Sequence, residues 1–283
     1  MGSGTVRTLG CLAVALAIVI AAGIGVFSWL RNRGLTEPVP GQQRCVATAN
    51  NRSTVVDLDQ AHFASIIAGV SVRRGLPPRA ASIAIATAYQ ETGIRNLDYG
   101  DRDSVGLFQQ RPSQGWGTKQ QLLDPDYAAG KFYEALVKIE NWETADINDV
   151  AQQVQRSGYP EAYRDHEADA RVLASNLTGQ SAAGFSCLDR TAATGDVKAL
   201  RSSLKQTFGK LDDSVDGSVI TIRAGSDKRA WAYANFAVAN AKYYGVATVK
   251  IGNRLWETQD LNLPEWQEAS PKLKDERVEI TVR

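Results

Sequence analysis

The sequence predicts an α+β multidomain fold with an N-terminal transmembrane helix, a mainly α-helical domain and a small C-terminal α/β domain. Residues 9–30 carry no charged side chain, residues 57–176 place apolar residues at helical spacing, and residues 196–283 mix strand-like and helical patterns. The chain has 283 residues, of which 43% are hydrophobic. That is enough for about two ordinary domains besides an anchor.

The predicted boundaries follow composition. A stretch rich in proline, glycine and polar residues precedes the helical domain, and a small, polar stretch follows it. The boundaries are 1–33 for the cytoplasmic tip and anchor, 34–53 for a linker, 54–177 for the helical domain, 178–195 for a second linker and 196–283 for the α/β domain.

A carboxylate stands at the end of an apolar helix. Residues 80–89 are almost wholly apolar and free of Gly and Pro, which is typical of a buried helix, and Gly93 is a natural helix stop. Burial and the negative end of the helix dipole both disfavour the charged form of Glu91. A carboxyl that stays protonated near neutral pH can serve as a general acid. The alternative is a capping or salt-bridged glutamate.

The Glu-Thr-Gly sequence at Glu91 is followed, after a polar loop, by a Gly-Leu-Phe-Gln sequence: Gly106, Leu107, Phe108 and Gln109. This pattern resembles the lysozyme-like superfamily, and within it lytic transglycosylases and g-type lysozymes, over residues 57–175. The resemblance implies that Glu91 is the catalytic acid and that residues 106–109 form the wall of a glycan cleft. The missing side chain of Gly106 would allow close sugar approach, and Gln109 would bond to the substrate or to the loop.

The reaction type depends on a second carboxylate. Cleaving a β-1,4 glycosidic bond needs a proton donor for the leaving oxygen and a partner for the oxocarbenium-like centre. The resemblance implies two routes, intramolecular attack by the sugar's 6-hydroxyl or hydrolysis assisted by a second acid, for which Asp101 is the candidate. A further Asp of g-type lysozymes falls on Arg111 here, which favours the transglycosylase route. A position in a solvated loop is the alternative for Asp101 and the expectation for Asp98 and Asp103.

Several aromatic residues are candidates for contacts in the site. Lytic transglycosylases carry a late tyrosine that reaches toward the catalytic Glu, and the resemblance allows either Tyr159 or Tyr163 in that role. A hydroxyl that donates to the carboxylate helps to set its protonation state. Tyr99 and Trp116 are candidates for stacking on sugar faces. Core or loop packing is the alternative for each of these residues.

The N-terminal apolar run predicts the location. At about 1.5 Å per residue, residues 9–30 are long enough to span a bilayer core. Arg7 precedes the run, and Arg31 and Arg33 follow it, so the positive-inside rule leaves the orientation open. The cysteines and the cell-wall motif favour an extracytoplasmic catalytic domain on a single-pass membrane protein. A cleaved signal peptide is the alternative, although no A-x-A site follows closely.

The cysteines bracket the helical domain. Cys45 precedes it and Cys187 follows it, which predicts a disulfide if the domain lies outside the membrane; two free thiols are the alternative. The sequence has two histidines and no CxxC motif, so neither a metal site nor a cofactor is predicted. A net charge of +1 without a basic cluster argues against nucleic acid as a partner.

The expected function is cleavage of peptidoglycan glycan strands between MurNAc and GlcNAc by a single-Glu lytic transglycosylase. A muramidase assisted by Asp101 and a non-catalytic cell-wall-binding protein are the alternatives. The expected partners are glycan strands, the membrane through one N-terminal helix, and a cell-envelope or secretion machinery. Residues 220–230 lack the histidine of a metal-binding signature found in a similar actinobacterial C-terminal module, which favours binding or scaffolding for residues 196–283.

Overall fold

The computed structural model describes residues 42–155, 161, 163–191, 194–274 and 276–283. Within them lie the following helices: α1 (Leu58–Arg73), α2 (Pro78–Thr92), α3 (Lys119–Leu122), α4 (Pro125–Leu136), α5 (Ile147–Gln155), α6 (Glu167–Leu177), α7 (Val197–Phe208), α8 (Asp227–Ala239) and α9 (Ala241–Tyr244). Short 3₁₀ turns span Pro112–Gln114 and Arg164–His166.

Strands form two antiparallel sheets among the described residues. Their bounds are β1 (Arg44–Ala49), β2 (Arg52–Val56), β3 (Phe185–Leu188), β4 (Asp212–Asp216), β5 (Val219–Arg223), β6 (Val246–Ile251), β7 (Arg254–Glu257), β8 (Gln267–Glu268) and β9 (Arg277–Val282). The first sheet has the order β2-β1-β3, and the second has the order β4-β5-β9-β6-β7-β8.

The predicted fold class is wrong. The described residues form a mixed α/β fold in which α1, α2, α4, α5 and α6 share their core with an antiparallel sheet. Strands β1 and β3 occupy parts of the two stretches that composition assigns to linkers. The sheet escaped prediction because its buried positions on β1 are the small residues Cys45, Ala47 and Ala49, which give little hydrophobic alternation.

The turn between β1 and β2 is formed by two consecutive asparagines, a sequence feature that an assignment by composition does not detect. Asn50 and Asn51 have φ angles of 50° and 60°, as a two-residue type I′ hairpin turn requires. Asparagine tolerates this left-handed conformation better than most residues. Two consecutive asparagines between short alternating segments therefore mark a hairpin rather than a linker.

Among the described residues, the two sheets and the helices pack into one unit. Helix α2 is buried along residues 80–88 and packs against α1, α5 and α6. Helix α1 also contacts α4, α7 and α8, so the C-terminal helices pack on α1, the neighbour of the helix that carries Glu91. Gly69 of α1 shows how close this packing is, because a Cβ there would lie 2.3 Å from Cγ2 of Thr207 on α7.

The predicted Cys45–Cys187 disulfide is confirmed. The two cysteines are directly paired on the antiparallel strands β1 and β3, and both are buried. The bond therefore joins the strand before α1 to the strand after α6. It thereby links the two ends of the chain segment that contains α1 to α6.

The predicted transmembrane helix, residues 9–30, lies outside the described residues. In the part of the chain that the structure describes, no helix has the length and apolar character needed to cross a bilayer.

Candidate functional site

Glu91 lies in the last turn of α2, and its exposure is intermediate. Gly93 ends the helix in the left-handed conformation, with φ of 64°, and its N–H donates to the Tyr89 carbonyl at 2.8 Å. Ile94 follows with φ of 57° and donates its N–H to the Ala88 carbonyl at 2.9 Å. A buried β-branched residue in this region is strained, and such strain persists only where the surroundings hold it.

Tyr163 provides the direct partner of Glu91. Its hydroxyl donates a 2.8 Å hydrogen bond to Glu91 Oε1, and its ring is completely buried. The tyrosine precedes the 3₁₀ turn Arg164–His166. An ion pair of 3.2 Å between Arg164 Nη1 and Asp146 Oδ2 fastens that turn. Of the two tyrosines that the resemblance allows in this role, Tyr163 contacts Glu91 and Tyr159 lies outside the described residues.

Thr92 connects the helix end to the Gly-Leu-Phe-Gln segment. Its hydroxyl donates to the carbonyls of Ala88 and Leu107, each at 3.0 Å, and accepts the N–H of Arg95 at 3.1 Å. Leu107 and Phe108 are fully buried, and Phe108 stacks on Phe132. The Gly-Leu-Phe-Gln segment therefore lies beneath the polar loop that precedes it, and its backbone is hydrogen-bonded to the helix that carries Glu91.

Gly106 and Gln109 shape the loop. Gly106 has φ of 80°, and a Cβ at this position would lie 2.4 Å from the Leu122 carbonyl oxygen, so close backbone packing against α3 requires glycine. Gln109 Nε2 donates to the Tyr99 carbonyl at 3.2 Å, and its Oε1 accepts the Ser104 hydroxyl at 2.8 Å. Of the two roles expected for Gln109, the structure shows the bonds to the loop.

The loop aspartates have different environments. The side chain of Asp101 is 92% exposed, and its ion pair with Arg102 is long, at 3.8 Å. Asp103 accepts from Arg111 Nε at 2.8 Å and from the backbone N–H of Ser113 at 2.8 Å. These bonds, that with Arg111 first, lower the pKa of Asp103 to about 2. Arg111 thus fastens the loop by pairing with Asp103.

The predicted sugar-stacking residues lie on the same loop. Tyr99 is 68% exposed, so its ring is available to a ligand. Trp116 is partly buried against the core, and its carbonyl accepts the Tyr127 hydroxyl at 3.4 Å. Asp98 is exposed, as expected.

Sequence reasoning missed a second contact between α2 and the 3₁₀ turn. The rings of Tyr89 and His166 stack with centroids 4.5 Å apart, and His166 Nε2 lies 3.1 Å from Gln90 Oε1. Burial lowers the pKa of His166. On α5, Gln155 Nε2 donates to the Phe108 carbonyl at 2.7 Å. No local pattern identifies such pairs, because their members lie far apart in sequence.

Two concave grooves lie elsewhere on the described surface. The larger, of about 570 Å³, is lined by residues that include His62, Asp124, Asp126 and Gln206, and the other, of about 320 Å³, includes Arg254 and Trp266. Glu91 lines neither of these grooves. The chemistry of the Glu91–Tyr163 pair, rather than groove volume, therefore marks the candidate site.

The described residues hold no group of three or more His, Cys, Asp or Glu side chains arranged to bind a metal ion. Neither a protein-family model nor a curated protein matches this chain.

Proposed function

We propose that this chain cleaves peptidoglycan glycan strands between MurNAc and GlcNAc, with Glu91 as the single acid and base. The observation that carries the proposal is the bond from the buried Tyr163 hydroxyl to Glu91 Oε1. Glu91 lies in the last turn of an apolar helix, accepts a hydrogen bond from a buried hydroxyl and is partly exposed to solvent. A carboxyl group in this position is suited to proton transfer with a bound ligand. The likeness of residues 91–93 and 106–109 to the lytic transglycosylase pattern supports the substrate class.

The reaction divides into two proton transfers. Protonated Glu91 gives its proton to the glycosidic oxygen as the bond from that oxygen to C1 breaks, which leaves an oxocarbenium-like C1 and a carboxylate. The Tyr163 hydroxyl, which donates to Oε1, stabilises that carboxylate. The 6-hydroxyl of the same sugar then attacks C1, and Glu91 takes its proton. The product is a 1,6-anhydro sugar, and Glu91 is again protonated.

The loop favours this route over hydrolysis. A hydrolase needs a second carboxylate held near the reacting carbon to activate water or to attack. Asp101 is 92% exposed and pairs only loosely with Arg102. Arg111, where g-type lysozymes carry an Asp, is bound to Asp103. The hydrolytic muramidase, with Asp101 assisting, is therefore the second candidate.

The disulfide supports an extracytoplasmic location. Cys45 and Cys187 are paired, and such bonds form and persist in oxidising compartments. Peptidoglycan lies in such a compartment. The location and the substrate therefore agree.

A purified-protein assay tests the proposal. Wild-type protein should release soluble muropeptides from peptidoglycan, and Glu91→Gln should reduce the rate by roughly 100-fold or more, since the amide cannot transfer a proton. Circular dichroism should show both proteins equally folded. If the wild type binds peptidoglycan without releasing fragments, the chain is a cell-wall-binding protein. Equal rates for the two proteins would remove Glu91 from the mechanism.

A further inference from the structure

The start of α1 meets the C-terminal part of the chain through Asp59. Lys242 Nζ and the Tyr243 hydroxyl, both on α9, each donate to Asp59 Oδ1 at 2.6 Å. These bonds, that from Lys242 first, lower the pKa of Asp59, so the carboxylate stays charged although burial opposes it. Two donors on one short helix thus converge on a single carboxylate oxygen.

Asp59 is in turn part of the structure that surrounds Arg95. Arg95 Nη1 lies 3.8 Å from Asp59 Oδ2, and the Arg95 guanidinium bonds both oxygens of Asp57. Asp57 caps α1 by accepting the N–H groups of Asp59 and Gln60 at 3.0 and 2.9 Å. The N-terminus of α1 and Arg95 therefore share one network of charged groups.

This network continues into the turn after Glu91. The Gln60 side chain donates from Nε2 to the Gly93 carbonyl at 2.9 Å. The backbone N–H of Arg95 donates to the Thr92 hydroxyl, which bonds the Leu107 carbonyl. The strained residue Ile94 lies between these contacts. The turn is thus held from both sides, by α1 and by the Gly-Leu-Phe-Gln segment.

Side-chain contacts hold α9, and Asn240 directly before it, against α1. The rings of His62 and Tyr243 lie 4.2 Å apart, and His62 Nδ1 lies 2.5 Å from Asn240 Oδ1. Asn240 uses its amide N–H groups to donate to the Ser65 hydroxyl and the Phe236 carbonyl. Its Oδ1 therefore accepts from His62, which fixes the tautomer of this histidine. The position of Lys242 and Tyr243 relative to Asp59 is consequently well defined.

From this connection we propose that Lys242 and Tyr243 are positioning residues for Glu91. They hold Asp59, and through Arg95 and Gln60 they hold the turn that ends α2 in the geometry that places the Glu91 carboxylate. The role of Glu91 rests on the proposed function, whereas the hold on the turn is a separate property of the fold. The C-terminal residues then form part of the catalytic unit, beyond any binding or scaffolding role.

The test uses full-length Lys242→Met/Tyr243→Phe, which keeps side-chain volume but removes both donors. Hydrogen–deuterium exchange should be about threefold or more faster at the amides of residues 93–95, while amides of β6 exchange as in the wild type. With peptidoglycan as substrate, kcat should fall about tenfold with KM little changed, because misplacement of a reacting group affects the rate rather than binding. Lys242→Arg, which keeps the charge, should retain most of the wild-type rate.

Arg201→Met is the matched control. It breaks another ion pair of the C-terminal part, between Arg201 and Asp213, that has no contact with the turn among the described residues. It should leave kcat and exchange at residues 93–95 unchanged. Two results would overturn the proposal. Exchange at residues 93–95 could stay at the wild-type rate in the double variant, or it could rise equally in Arg201→Met. The exchange result decides this even if the wild type proves inactive on peptidoglycan, in which case only the proposed function fails.

Discussion

The Tyr163 hydroxyl donates a hydrogen bond of 2.8 Å to Oε1 of Glu91, across a sequence separation of 72 residues. The fully buried ring anchors the donor, and the partly exposed carboxylate is the acceptor. This bond brings the 3₁₀ turn before α6 to the end of α2. One oxygen of Glu91 is thus held by the protein.

Tyr163→Phe removes only this hydroxyl. We expect the rate of glycan cleavage to fall roughly 10- to 100-fold, because the carboxylate loses its orienting donor. Stability should fall by about 1–3 kcal/mol, the range for a hydrogen bond to a charged group or a buried group left unpaired. Steady-state kinetics and urea unfolding measure the two effects.

Tyr133→Phe is the control for that variant. Tyr133 is also fully buried, and its hydroxyl donates to the Ile67 carbonyl at 2.9 Å rather than to Glu91. It should lose comparable stability and retain activity. If both variants lose activity equally, the effect comes from packing and the role of Tyr163 is wrong.

The disulfide should be a major contributor to stability. Replacing both Cys45 and Cys187 with Ala opens a loop that spans 142 residues of sequence. The chain-entropy model predicts a loss of about 4–5 kcal/mol in the free energy of unfolding. Urea unfolding of the wild type with and without reductant provides the comparison. A loss below about 1 kcal/mol would mean that the unfolded state gains little freedom when the bond is opened.

Asp126 predicts a pH dependence of stability. Burial raises its pKa to about 6, with Asp124 adding to the rise and Thr207 and Arg73 opposing it. In the unfolded chain the pKa returns to its ordinary value of 3.8, so between pH 4 and 6 the folded state binds more protons. Stability therefore falls as pH rises through this window and levels off above pH 6. The full effect is about 3 kcal/mol.

Asp126→Asn should remove this dependence. The variant should be more stable than the wild type at pH 7, and the two should converge near pH 4. Urea unfolding at pH 4, 5, 6 and 7 measures the difference, with the exposed Asp101→Asn as the control for loss of a charge. A wild type-to-variant difference that does not change between pH 4 and pH 7 would contradict the raised pKa.

Local patterns predicted individual elements well where one signal dominated. Helical spacing over residues 57–176 predicted a run of helices there, and α1, α2, α4, α5 and α6 lie in that stretch. Proline at the start and glycine at the end of α2 fixed the position of Glu91 in its last turn. The residue types Gly-Leu-Phe-Gln at residues 106–109 made this segment a candidate part of the site.

Non-local contacts were beyond sequence patterns. The short strands β1 and β3 bury small residues and gain stability by pairing with each other, so their own hydrophobic signal is weak. Helices α8 and α9 are divided at Asn240, whose side chain bonds Ser65 on α1. The choice between Tyr159 and Tyr163, and the connection from Lys242 to Asp59, depend on tertiary packing that no spacing rule encodes.

Mass spectrometry of the products from purified peptidoglycan tests the central claim most directly. A single acid with attack by the sugar's own 6-hydroxyl predicts 1,6-anhydro muropeptides, a rate at least roughly 100-fold lower with Glu91→Gln, and nearly full activity with the exposed Asp101→Asn. Products with free reducing ends, together with an Asp101→Asn variant as inactive as Glu91→Gln, would contradict it and show a hydrolase that uses Asp101 to activate water.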